Sequence, residues 1–162
     1  MIIRAILAHD NEWGIGKDGG LPWPSNSDDL QWFKDNTLNT TVIMGRNTWD
    51  SLPLKPLRNR NNIVVSSTME AGVQQVEVVH PDNYKARVAD IQDLERVWII
   101  GGAQLIIDSL DIIDELWLNN VGNDYDCDVF LPKEEITSGY TARDVTEKSF
   151  GTITRWIRNT DA

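Results

Sequence analysis

Three short stretches of this chain, Thr41-Val-Ile-Met44, Asn62-Ile-Val-Val65 and Val97-Trp-Ile-Ile100, are nearly or wholly apolar and do not alternate with polar residues. A strand with one face in water alternates, so runs of this kind belong to strands covered on both faces, the mark of a largely parallel sheet. Further β-like runs lie at Ile2–Ala8, Gln75–Val79 and Leu116–Val121. The tail from Tyr140 to Arg158 supplies two more strands that turn around Ser149–Gly151. Helical segments fall between the runs: Asp28–Asn36, Asn47–Leu52, one within Asn83–Arg96, and Ala103–Leu110. The alternation predicts an α/β fold in one domain over residues 1–162. Its central sheet is eight-stranded and mostly parallel, with an antiparallel C-terminal strand and about four flanking helices. No repeat or long linker divides it.

Charge narrows the ligands. A formal net charge of −10 opposes general nucleic-acid binding. Any anionic ligand must then be held by specific arginines against the global field. No apolar run approaches the roughly 20 residues of a membrane span, and MIIRAILAHD turns polar too soon for a signal peptide. The single cysteine, Cys127, cannot form an intrachain disulfide and suits a reducing cytoplasm as a small structural residue. A cytoplasmic monomer without a metal site is expected.

The richest chemistry lies in Pro24-Ser-Asn-Ser-Asp-Asp-Leu-Gln-Trp-Phe-Lys34. Ser25 or Ser27 is expected to cap a helix whose first-turn acids suit its dipole. Asp29 shares a stripe with Leu30 and Phe33, four residues on. If those two point inward, Asp29 stands at the edge of an apolar wall, where burial raises its pKa toward neutral pH. Read alone, it is first a helix acid in water. The preceding Ile15-Gly-Lys-Asp-Gly-Gly-Leu-Pro-Trp23 is a glycine-rich loop ending in a large amphipathic ring. Trp23 suits either core packing or a cover over a pocket, its indole N–H anchoring water or substrate.

Two further segments share one design. Thr41-Val-Ile-Met-Gly45 runs into Arg46-Asn-Thr-Trp49, and Val97-Trp-Ile-Ile-Gly101-Gly102 runs into Ala103-Gln-Leu-Ile106. Helix starts of this kind expose backbone N–H groups to phosphate oxygens. Neither is GxGxxG, so a dinucleotide would bind in another manner. If adjacent strands bring Arg46 beside Ser66-Ser67, a guanidinium and two hydroxyls suit a 2′-phosphate. Arg60 can clamp a carboxylate. Each also reads as an ordinary surface or turn residue.

In this order the motifs resemble dihydrofolate reductase along essentially the whole chain. The likeness runs through Ile6, Ala8, Ile15-Gly16 and Leu21-Pro22-Trp23, then Asp29-Leu30 with Trp32-Phe33-Lys34. It continues through Val42–Trp49, Pro56-Leu57 with Arg60, Asn62–Val65 with Ser66-Ser67, Ile100–Ala103 and Asp128–Pro132. The resemblance implies NADPH-dependent reduction of dihydrofolate, with Asp29 the one catalytic carboxylate and Trp23 placing water beside it. It implies a folate site lined by Ile6, Ala8, Asp29, Leu30, Phe33, Thr48, Leu52 and Leu57, with Arg60 on the glutamate α-carboxylate. It implies NADPH contacts from Ala8, Ile15, Gly16, Gly45, Arg46, Asn47, Thr48, Ser66, Ser67, Ile100, Gly101, Gly102, Ala103, Gln104 and Leu105, with a cis Gly101–Gly102 peptide.

The chain departs from the family at three places. Asn119 stands where a threonine usually bonds the catalytic acid, Ile106 where an aromatic is common, and one extra residue lies between Trp23 and Asp29. Asparagine still donates and accepts, so Asn119 joins the catalytic group. A pyrimidinone reductase of similar architecture and a non-catalytic acidic ligand-binding module are the alternatives. Asp29 and Arg60 favour folate.

Overall fold

A computed structural model of the chain describes residues 1–24, 26–72, 76–91 and 96–160. The core strands are β1 (Ile3–His9), β3 (Thr41–Gly45), β4 (Asn61–Val65), β5 (Glu77–Val79), β6 (Val97–Ile99) and β7 (Glu115–Asn120). They run parallel, and β10 (Gly151–Arg158) pairs antiparallel with β7 and with the outer strand β9 (Tyr140–Lys148). The spatial order is β5-β4-β3-β6-β1-β7-β10-β9. The expected eight-stranded, mostly parallel sheet is therefore present, with β10 the one strand that runs against the others. The run expected at Gln75–Val79 is described only from residue 76 onward, and its strand begins at Glu77.

The non-alternating runs fill the middle of the sheet because both faces are covered there. Val42, Ile43, Val64 and Ile99 are fully shielded. One face packs Ala5, Ile43, Ile99, Leu116 and Leu118 against α3 (Tyr84–Ala89) and α4 (Ala103–Asp108). The other packs Ile6, Val42, Met44, Val64 and Trp98 against α1 (Ser27–Thr37) and α2 (Arg46–Ser51).

The sequence reading needs three corrections here. The described residues hold five helices rather than about four, because α5 (Lys133–Thr137) is a five-residue turn anchored by Ile136. A two-stranded ribbon of β2 (Gly14–Gly16) and β8 (Val129–Phe130) was not anticipated either. The cap of α1 is Asn26, whose side-chain oxygen accepts from the backbone N–H groups of Asp28 and Asp29 at 2.9 and 3.3 Å. Ser27 is already the first helical residue, and Ser25 lies outside the described residues.

Candidate active site

The register of the parallel strands decides what meets at their C-terminal ends. Ala8 on β1 faces Asn119 on β7, and Ile6 faces Trp117 two residues earlier. Ile6, Phe33, Leu52 and Leu57 belong to one apolar cluster, so α1, α2 and the segment after α2 close over the same face of β1. Leu30 does not point into this cluster as expected. It is 52% exposed, and Phe33 with Trp32 forms the apolar wall beside the acid.

Asp29 is partly shielded at that edge. Burial raises its carboxyl above the usual carboxylate range, and a hydrogen bond from Asn119 pulls the other way. Asn119 itself is fully buried and donates from Nδ2 to Asp29 Oδ1 at 3.1 Å. A cavity of about 440 Å³ reaches Asp29 between the end of β7, the β9–β10 turn and Trp23. Asn26, Tyr125, Gly151 and Thr152 are among its lining residues, and none of them was singled out in the sequence.

Trp23 is 7% exposed and its ring lies 5.9 Å from that of Tyr125. The loop leading to it is fastened at its base. Asp128 N–H donates to the Gly16 carbonyl at 2.9 Å, and Asp18 N–H donates to Asp128 Oδ2 at 2.9 Å. Behind this, the fully buried Asp10 accepts four donors: Glu12 and Gly14 N–H on Oδ1, and Tyr125 N–H and Cys127 S–H on Oδ2. Burial alone would raise the Asp10 pKa, but those hydrogen bonds together hold it below the ordinary value.

The two strand–glycine–helix turns lie side by side. Gly45 N–H donates to the Gly101 carbonyl at 2.9 Å, which ties the end of β3 to the turn after β6. The Gly101–Gly102 peptide is cis, as the resemblance implies, and Gly101 has φ +120, a conformation open to glycine. Thr48 Oγ1 lies 3.6 Å from where a Cβ on Gly101 would stand. Neither Gly45 nor Gly102 makes a side-chain cap bond, which leaves the first-turn N–H groups of α2 and α4 without a side-chain acceptor. This bare backbone rim suits the diphosphate of a dinucleotide.

Gly45 pairs with Val65, so Arg46 and Ser66 follow one another across adjacent strand ends, as expected. The two-hydroxyl pocket needs correction, however. Ser66 is buried and its Oγ accepts from Thr68 and Met69 N–H at 3.1 and 3.0 Å, whereas Ser67 is exposed. Arg46 is exposed and pairs with Asp50 at 3.3 Å.

Arg60 is more firmly placed. Its Nε donates to the Arg58 carbonyl at 2.9 Å and its Nη1 to Thr37 Oγ1 at 3.0 Å, and burial lowers its pKa. Thr37 was not anticipated, although a buried hydroxyl in the last turn of α1 faces the segment that carries Arg60. Beside it lies a second cavity of about 450 Å³, lined by residues 54–60.

Comparisons with known proteins identify the family. A family model described as "Dihydrofolate reductase" matches residues 2–150. The chain is 37% identical over 150 residues to the dihydrofolate reductase of Schistosoma mansoni, covering 82% of this chain and 79% of that one. It is 35% identical over 133 residues to that of Haemophilus influenzae, covering 82% and 80%. Among solved structures, dihydrofolate reductase from Enterococcus faecalis, complexed with NADP(H) and RAB-propyl, superposes with a TM-score of 0.85 at 27% identity. The superposition covers 98% of this chain and 97% of that one. The fold, the family model and the relatives converge: this chain belongs to the dihydrofolate reductase family.

Proposed function

We propose that the chain reduces 7,8-dihydrofolate to tetrahydrofolate with NADPH and works as a monomer in the cytoplasm. The observation that carries this reading is the partly buried Asp29 carboxyl, held by Asn119 and reached by a cavity, on a helix whose Phe33 joins the apolar cluster of Ile6, Leu52 and Leu57. NADPH, when bound, supplies the hydride that reaches C6 of the pterin. Asp29 accepts hydrogen bonds from the pterin's amino group and ring N–H, and supports delivery of a proton to N5 through water. Ile6, Ala8, Leu30, Phe33, Thr48, Leu52 and Leu57 hold the ring and its linker, and Arg60 receives the glutamate α-carboxylate. Leu30 fits this part because its exposed side chain is free to cover a ligand.

For the cofactor, Ala8, Ile15, Gly16, Asn47, Thr48 and residues 100–105 hold the dinucleotide against the Gly45 and Gly101–Gly102 turns. Arg46 with Ser67 receives the 2′-phosphate, and Arg46 must turn from Asp50 to do so. Ser66 supports that turn from within. The residues' contribution is orientation of two rings in a site closed to water and control of one proton. No helix among the described residues is long and apolar enough to cross a membrane.

The decisive experiment follows the loss of NADPH absorbance with dihydrofolate as the partner. Turnover that requires dihydrofolate supports the reading. Oxidation with a pyrimidinone substrate instead, or none with either, overturns it.

A further inference from the structure

We propose that Asn119 is a positioning residue that serves Asp29 as a hydrogen-bond donor only, and that Gly151 holds it in that role. The inference rests on Asp29 being the catalytic acid and concerns which of its oxygens takes the proton.

The Asp29 end of the Asn119 carboxamide sets its orientation, and the space at Gly151 admits the other end. At one end, Nδ2 lies 3.1 Å from Asp29 Oδ1, where an ionised carboxylate accepts and has no proton to give. At the other, Oδ1 is buried without a hydrogen-bond partner. It is turned toward Gly151, where an added Cβ would stand only 2.1 Å from it and 2.6 Å from the Asn120 carbonyl oxygen. Gly151 has φ +153, and its bare Cα leaves room for an oxygen and offers it a C–H contact. Reversing the amide would set two oxygens against each other at Asp29.

A threonine hydroxyl here would behave differently, because it donates to a carboxylate and also accepts from a protonated acid. Asn119 stabilises one form alone. Asp29 Oδ1 is occupied by this donor, and Asn119 is the one side-chain donor to that carboxyl among the described residues. Oδ2 is then the oxygen that carries and exchanges the proton. The charged groups around Asp29 are Asp28 beside it on α1, and Glu147 and Lys148 on the hairpin lining the same cavity. Other polar neighbours there are Asn26, Asn120, Tyr125 and Thr152.

The test measures Asp29 in two independent ways: the carboxyl ¹³C titration of the free protein, and the pH midpoint of single-turnover NADPH oxidation. Removing a donor to the charged form raises the acid's affinity for its proton. In Asn119→Leu both midpoints should rise by about one pH unit, roughly tenfold in proton affinity. Asn119→Thr should give a smaller rise, and Gly151→Ala a rise from displacing Oδ1. NADPH affinity, staying within about twofold of the parent, reports that the site remains folded. Unchanged or lowered midpoints in Asn119→Leu and Asn119→Thr overturn the proposal. The ¹³C titration needs no substrate, so its outcome stands apart from any failure of the dihydrofolate reading.

Discussion

Asp29 and Arg60 are both placed by neighbours that belong to other parts of the chain. The acid is bonded across ninety residues by Asn119, and the guanidinium is bonded across twenty-three by Thr37. Such fixing converts two flexible side chains into groups of defined direction. Asp29→Asn should cut turnover at neutral pH by about 10²–10⁴-fold, the usual worth of a positioned acid–base group. It should leave NADPH binding intact, and retained kcat would end the assignment. Stability should move the other way. The folded protein holds the Asp29 proton more tightly than the unfolded chain, so ionisation weakens the fold as pH rises above the ordinary carboxylate value. Thermal melting at pH 7 should therefore show the Asn variant no less stable than the parent. Sequence spacing indicated the acid and its wall through Phe33 but misjudged Leu30, because a stripe on a helix does not say how far the next element extends over it. Nothing in the spacing could indicate Gly151, whose role depends on a contact with Asn119 made only when β10 pairs with β7.

The elements that sequence disclosed are those that carry their burial within themselves. Thr41–Gly45, Asn61–Val65 and Val97–Ile99 are strands by composition as well as by position. The elements it missed depend on distant partners. The short β2–β8 ribbon exists because Leu131 N–H reaches the Trp13 carbonyl at 2.8 Å and Asp128 N–H reaches Gly16. By contrast β9, one of the two strands expected in the tail, is legible although eight of its nine residues are exposed and its alternation is imperfect. Asp10 governs this same region. Its two oxygens accept two donors each, so either orientation of an asparagine amide would set an N–H₂ group against two donors. Asp10→Asn should cost about 2–4 kcal/mol in urea unfolding. The parent's contribution from Asp10 is present above the ordinary aspartate value and is lost as pH falls through its lowered pKa, so the gap between the two proteins should close in acid. A constant gap from pH 7 into that acid range would show that the carboxylate charge is not what stabilises the crossing.

At the scale of the whole molecule, a chain of net charge −10 must take up anions. Its answer is local: Arg46 and Arg60 stand at separate ends of the proposed site, while long-range repulsion remains. The association rate of NADPH should therefore rise with salt between about 10 and 150 mM, as screening removes the global repulsion. Arg46→Ala should weaken NADPH far more than NADH, and equal losses for the two would remove Arg46 from the 2′-phosphate. Gly14 and Cys127 carry one more consequence. A Cβ on Gly14 would fall 2.3 Å from Cys127 Sγ, so the chain's one thiol is sealed where the two loops cross. Burial, with Asp10 beside it, pushes that thiol up to about 11. Modification by a thiol reagent should accordingly be limited by opening of the crossing. Labelling should slow when NADPH and a folate analogue close the Trp23 loop; equal rates with and without them would mean that the crossing opens independently of the site. Cys127 is thus a built-in chemical clock for how often the loops part.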